Sequence, residues 1–249
     1  MAITIVPKEK QASGQFNGGA ILEKKPIGFP QDGGGVKPYS NLFYWAHAWS
    51  DKGSVIGEHP HKGFEILSFV LEGDIEHYDN KLRGWKPLKK GDAQIIRAGN
   101  GISHAEKINA GSEIFQIWFD PNLEKTMEKP ATYDDYADDK FPVSKQNGMS
   151  IKIFKGENSP LQMDTEGVSI KEYTLNSGTH QLQLSKDSIY SAFIVGGAVT
   201  FETNSLNKGD YAIIKQQETL EISASEESKL FMIETPARPS YRTYAEMYM

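Results

Sequence analysis

Two short stretches hold the residues best placed to do chemistry. His59 and His61 stand two apart in GEHPHKGFE (57–65), and His104 and Glu106 repeat that spacing in AGNGISHAEKI (98–108). Residues i and i+2 of an extended strand leave the same face, so each pair aims both side chains one way. Three imidazoles and one carboxylate suit Fe, Mn, Ni, Cu or Zn, whereas Mg and Ca want mostly oxygen. The chain has no cysteine, so it offers neither a thiolate ligand nor a disulfide. An HxH pair alone is a weak signal. A second pair, with His104 placed 43 positions after His61 across a hairpin and a turn, makes it a site.

Glu65 also follows the first histidines. An unbroken strand would set Glu65, Leu67, Phe69 and Leu71 on the histidine face of a barrel interior, with Glu65 about 13 Å beyond His61. Metal–oxygen bonds are about 2 Å, so Glu65 ligates only if the chain bends sharply, for instance at Gly63. Glu106 needs no such bend and is the expected carboxylate.

The elements that must position these residues are strands. Apolar and aromatic runs at 41–49, 65–73, 92–98, 113–119, 190–197, 211–215 and 230–235 are punctuated by Gly-Asp, Gly-Gly and Asn-Gly. Helical patterns are nearly absent, and the foremost helical piece expected is a short charged connector around 122–139. Two halves share one order: FVLEGDIEHY, LKKGDAQII and EIFQIWF in the first, FIVGGAVTFE, LNKGDYAII and KLFMIE in the second. This is the pattern of an internally repeated all-β protein. Its expected domains are 1–125, a linker at 126–147, and 148–249. Anchoring Gly197 on Gly73 sets Gln183 and Ser185 against His59 and His61. Anchoring Gly209 on Gly91 sets Ile222 and Ala224 against His104 and Glu106, so the second barrel is expected to lack ligands.

Hydrophobic content of 38% with 24% charged residues fits a globular chain, and the net charge of −6 argues against a nucleic-acid surface. Lys86, Lys89 and Lys90 read as a solvated turn. The opening MAITIVPKEK is too short an apolar run for a signal peptide, and no stretch is long enough to span a membrane, so a cytoplasmic location is expected. His47 shares a strand face with Phe43, Trp45 and Trp49, which makes it part of an aromatic barrel wall or of a pocket above the metal. His77 and His180 read as surface or hydrogen-bonded residues, YDDYADD as a solvated linker, and Gln116, alternating with Trp118, as a residue that could face a ligand.

GEHPHKGFEILSFVLEGDIEHYD and KKGDAQIIRAGNGISHAE resemble the pirin family of the cupin superfamily, strongly over 53–125 and in architecture beyond. The resemblance implies a bicupin of two tandem jelly-roll-like β-barrels with one mononuclear iron in the first. It places the ligands on His59, His61, His104 and Glu106; in many other cupins the HxHxxxE glutamate, here Glu65, is the ligand. Arg97 stands where the family signature has threonine. The stretch QDGGGVKPYSNLFYWAHAW lacks the DPFL-type segment of typical pirins, and ARPSYRTYAEMYM lacks their closing motif. Four ligands on a six-coordinate metal leave two open positions, enough for a chelating substrate or for substrate with dioxygen. The resemblance thus implies an Fe(II)-dependent oxidoreductase of quercetin 2,3-dioxygenase type, acting on a small aromatic or enol substrate, with Glu106 as ligand and proton acceptor. Its alternative is a non-catalytic, metal-dependent regulator that binds a protein partner or senses redox state.

Overall fold

The computed structural model of the chain describes residues 2–81 and 83–248. β1 (Ala2–Val6) precedes the hairpin β2 (Ala12–Phe16) and β3 (Ile21–Ile27), then β4 (Leu42–Ser50), β5 (Ser54–His61) and β6 (Glu65–Glu72). β7 (Asp74–Asp79), β8 (Trp85–Lys89), β9 (Ala93–Arg97), β10 (Ile102–Ile108) and β11 (Ser112–Phe119) follow. Beyond the four-residue α1 (Leu123–Thr126) come β12 (Thr132–Tyr136), β13 (Val143–Gln146), β14 (Met149–Lys155), β15 (Ser169–Leu175) and β16 (Gly178–Gln183). The last are β17 (Ser188–Gly196), β18 (Ala198–Phe201), β19 (Asn204–Asn207), β20 (Tyr211–Lys215), β21 (Thr219–Ala224), β22 (Ser228–Pro236) and α2 (Tyr244–Tyr248). Among the described residues, no helix is long and apolar enough to cross a membrane.

These strands build two jelly rolls of matching topology. The first has a seven-stranded sheet, β12-β9-β6-β11-β4-β3-β2, and a four-stranded sheet, β5-β10-β7-β8. The second has β1-β20-β17-β22-β15-β14-β13 and β16-β21-β18-β19. Position by position the two orders correspond, with β6 answering to β17 and β10 to β21.

The turns repeat to the level of single hydrogen bonds. Gly73 and Gly197 both have positive φ, at 68° and 71°. A Cβ on either would collide with a serine hydroxyl, that of Ser112 or of Ser228, so no other residue fits. In the Lys-Gly-Asp turns, the Asp92 carboxylate accepts from the N–H of Lys89 (3.0 Å) and of Asp138 (2.8 Å). Asp210 does the same for Asn207 (2.8 Å) and Lys8 (2.9 Å). Phe69 stands opposite Phe115 as Phe193 does opposite Phe231. Burying such a side chain contributes roughly 1.5–3 kcal/mol.

The units are not consecutive stretches of chain. The first jelly roll comprises Gln11–Lys140, Gln162–Thr165 and Tyr241–Met249, and the second Met1–Lys10, Phe141–Leu161 and Glu166–Ser240. β1 pairs with β20, so the first strand of the chain is an edge strand of the second roll. Residues 126–147 are not a free linker: β12 pairs with β9 and β13 with β14. Within 122–139, only Leu123–Thr126 is α-helical, capped by the Asn122 side chain. The acidic run that reads as solvated linker holds the edge strand β12, whose backbone hydrogen bonds to β9 outweigh its charge. Asp134 and Asp135 are tied by Arg97 and Gln94 (2.7 and 2.5 Å).

Candidate metal centre

β5 and β10 are antiparallel neighbours, with His59 opposite His104 and His61 opposite Ile102. The register shifts between His104 and Glu106, because β5 takes three residues from Ile56 to His59 where β10 takes two. Such a bulge re-aims the strand beyond it. The three imidazoles meet: ring centroids are 4.7 Å apart for His59–His61, 4.5 Å for His59–His104 and 4.8 Å for His61–His104. One ring nitrogen from each lies within 4.8 Å of the others. His59 donates Nδ1–H to the carbonyl of Gly57 at 2.8 Å, which leaves Nε2 as a lone pair for the site.

Burial above all keeps His61 and His104 neutral. Burial, then the neighbouring imidazoles of His104 and His59, pushes the His61 pKa down to about 3. His104, fully buried, falls to about 3 through burial and then His59 and His77. Neither ring nitrogen of His104, nor Nε2 of His61, has a hydrogen-bond partner. Buried polar atoms without partners are costly and rare. Three imidazoles converging at one point, two of them held neutral by burial, fit a divalent transition ion.

Glu106 is buried beside this group, while the tight convergence of ligand atoms is that of the three histidines. Its Oε1 accepts from the Ser68 hydroxyl (3.1 Å) and its Oε2 from the Gln116 amide (2.5 Å). Gln116 in turn accepts from the Trp118 indole (3.4 Å), whose ring lies edge-on to His61 (4.8 Å). Gln116 thus faces the site through Glu106.

Glu65 lies elsewhere. The chain does bend at Gly63 (φ 84°), but the bend ends β5 in one sheet and starts β6 in the other. The expectation of one unbroken strand from His59 to Leu71 is therefore corrected. Glu65 accepts from the backbone N–H of Asp164 (2.7 Å) and Thr165 (2.8 Å) and from the Thr165 hydroxyl (2.5 Å). It pins the segment Gln162–Thr165 to the first jelly roll. Arg97 Nη2 reinforces this by donating to the carbonyl of Gln162 (2.6 Å).

His47 is opposite Phe115, whereas Ala46 is opposite the inward-facing Gln116, so His47 points away from the histidines. It contacts Glu113 (3.1 Å) and packs on Phe115. This leaves it in the wall and removes it from any pocket above the metal. His180 donates Nε2–H to the Asn176 carbonyl (2.8 Å). His77 is fully buried and hydrogen-bonded to Asp79, not superficial. The fully buried Ile75 two residues before it is the signal, in β7's alternating pattern, that His77 and Asp79 face inward.

Register also locates the counterpart positions in the second roll. Ile75 and Val199, each two residues past its turn glycine, stand opposite Ile108 and Ala224. Counting back along the strands, Glu106 answers to Ile222 and His104 to Leu220. Leu182, opposite Leu220, answers to His59. Ser68 opposite Gln116 becomes Ala192 opposite Met232. The counterparts expected from the glycine anchors, Gln183, Ser185, Ile222 and Ala224, are thus shifted by one residue on β16 and two on β21, because the intervening loops differ in length. All five counterparts belong to one apolar core. In the first roll the same polar layer divides the interior into separate apolar clusters around Val70 and around Ile66.

Aromatic rings pack into a cluster that reaches His61 through Trp118. Phe29 stacks on Tyr44 (centroids 4.7 Å) and meets Trp118 edge-on (5.4 Å), while Phe43 packs on Phe64 (4.5 Å) and Tyr244 (5.7 Å).

Two jelly rolls, one with a histidine cluster and one with an apolar interior, define a bicupin with, among the described residues, one histidine-centred site. The family described as Pirin matches residues 37–119. A pirin-like protein of Caulobacter vibrioides is 31% identical over 187 residues, 71% of this chain and 75% of its own length. This chain belongs to the pirin family. Quercetin 2,3-dioxygenase of Escherichia coli K12 is 40% identical over 74 residues, 28% of this chain and 32% of its own length. Among solved structures, the Escherichia coli pirin YhhW in complex with nickel(II) superposes with a TM-score of 0.76 at 22% identity, over 94% of this chain and 99% of that one.

Proposed function

We propose that the chain is a metal-dependent dioxygenase of flavonol type, with Fe(II) as its working ion. The observation that carries this reading is the convergence of three imidazoles, with His104 and His61 nitrogens left without hydrogen-bond partners, beside an aromatic cluster that includes Trp118. His59, His61 and His104 hold the ion, and Glu106 completes the set. A bound divalent transition metal supplies Lewis acidity toward an enol oxygen and a redox centre for dioxygen. The chain's own residues do the rest. Phe29 and Trp118, the partly buried rings of that cluster, offer the apolar surface that binds a planar aromatic substrate. Glu106 takes the enol proton at Oε1, whose contact with the rotatable Ser68 hydroxyl is the longer of its two. Gln116 meanwhile holds Oε2 in place. The C. vibrioides and E. coli relatives support a pirin-type site, and the name of the latter supports the substrate class.

The test is aerobic incubation of the Fe(II)-loaded chain with quercetin, read as oxygen uptake. Quercetin-dependent uptake is expected, falling at least about 100-fold in Glu106→Gln, a general base and ligand being lost together. A fully Fe-loaded protein that takes up no oxygen would contradict the reading and favour its alternative, a metal-dependent regulator without turnover.

A further inference from the structure

The four-stranded sheet of the first jelly roll turns two more polar side chains inward, His77 and Asp79 on β7. Both are fully buried. Asp79 stands opposite His104, and His77 opposite Glu106. Directly opposed residues of an antiparallel pair share a face, with Cβ atoms about 4.5–5.5 Å apart. A continuous row His59–His104–Asp79 therefore crosses β5, β10 and β7. His77 donates Nε2–H to Asp79 Oδ2 at 3.1 Å, and the Lys81 backbone N–H donates to Oδ1 at 2.7 Å. One side of the His77 ring lies against His104 (centroids 5.6 Å) and another against Tyr133 (5.7 Å).

The fold does not need this pair. At the position of His77 the second roll has Phe201, opposite Ile222 and fully buried in its apolar core. Burying an imidazole and a carboxylate is unfavourable where an apolar ring would fill the same space. The polar pair is found only in the roll that carries the histidine cluster, and against its most buried member.

We propose that His77 and Asp79 are positioning residues for the His104 imidazole. Asp79 supplies the negative charge beside His104 that strengthens it as a donor, and His77 holds the Asp79 carboxylate and buttresses the His104 ring. This rests on the reading of the three histidines as metal ligands. Outer partners of this kind typically govern metal affinity by about 10–100-fold.

Cobalt(II) is the probe. Competition against a chromophoric chelator gives its affinity, and the visible spectrum of the loaded chain reports the ligand geometry. His77→Phe, which copies the second roll, and Asp79→Asn are expected to bind Co(II) about 10–100-fold more weakly with an altered spectrum. His77→Gln, which keeps an N–H toward Asp79, is expected to recover most of the affinity. Metal-free His77→Phe is expected to melt as the parent does; should it fail to fold, Asp79→Asn and His77→Gln carry the same comparison. Parent-like affinity and spectrum in these variants would overturn the proposal while leaving the histidine site intact. If His104→Ala binds Co(II) as the parent does, the ligand reading itself falls, and the positioning role with it.

Discussion

Glu65 and Glu106 are equally buried glutamates with different partners. Glu65 receives three hydrogen bonds from Asp164 and Thr165, and burial raises its pKa in spite of them. Glu106 is held by side chains that border the histidines. Replacing Glu65 by Ala strands three buried donors, so we expect a loss of about 2–4 kcal/mol in urea unfolding with metal content unchanged. Loss of metal at full stability would reverse the two roles. The histidine pairs are legible in the sequence because i, i+2 spacing on a strand is a local rule. The partner of Glu65 is not, since Thr165 lies 100 residues away and a Gln-Met-Asp-Thr segment carries no sign of where it docks.

At the scale of elements, the seven major apolar runs are the strands expected, since alternation and β-branched content are local properties. Charge misleads at β12, where an acidic surface face coexists with a backbone paired to β9 along its whole length. Bends mislead too: Gly63 ends one strand and starts another, and a single glycine in an apolar run does not announce a change of sheet. The C-terminal helix α2 is held by Asp120, whose carboxylate accepts from the N–H of Tyr244 and whose carbonyl accepts from the Tyr241 hydroxyl. Burial lifts the Asp120 pKa from 3.8 to about 6. The folded state therefore binds this proton more tightly than the unfolded state, and stability is gained as pH falls from about 6 toward 4 and is absent above. Asp120→Asn removes the ionisation while keeping an acceptor. It should be more stable than the parent at pH 7, by up to about 3 kcal/mol, and equal to it near pH 4. Denaturant titrations at the two pH values check this, and a difference independent of pH would contradict it.

At the scale of the molecule, one topology occurs twice with different interiors. The Lys-Gly-Asp turns make the repeat legible, because Asp92 and Asp210 perform the same backbone task and so keep the same neighbours. The placement of β1 in the second roll is not legible, since a five-residue apolar strand fits any open sheet edge. Nor does turn anchoring give the register of the inner strands, which only the ladder itself decides. The duplication implies a stoichiometry: the layer that is His59, His104 and Glu106 in one roll is Leu182, Leu220 and Ile222 in the other. Metal analysis of the purified chain and of His104→Ala tests this most directly. One transition-metal ion per chain, lost in the variant, is the predicted result; two ions per chain, or one that survives the loss of His104, would contradict it.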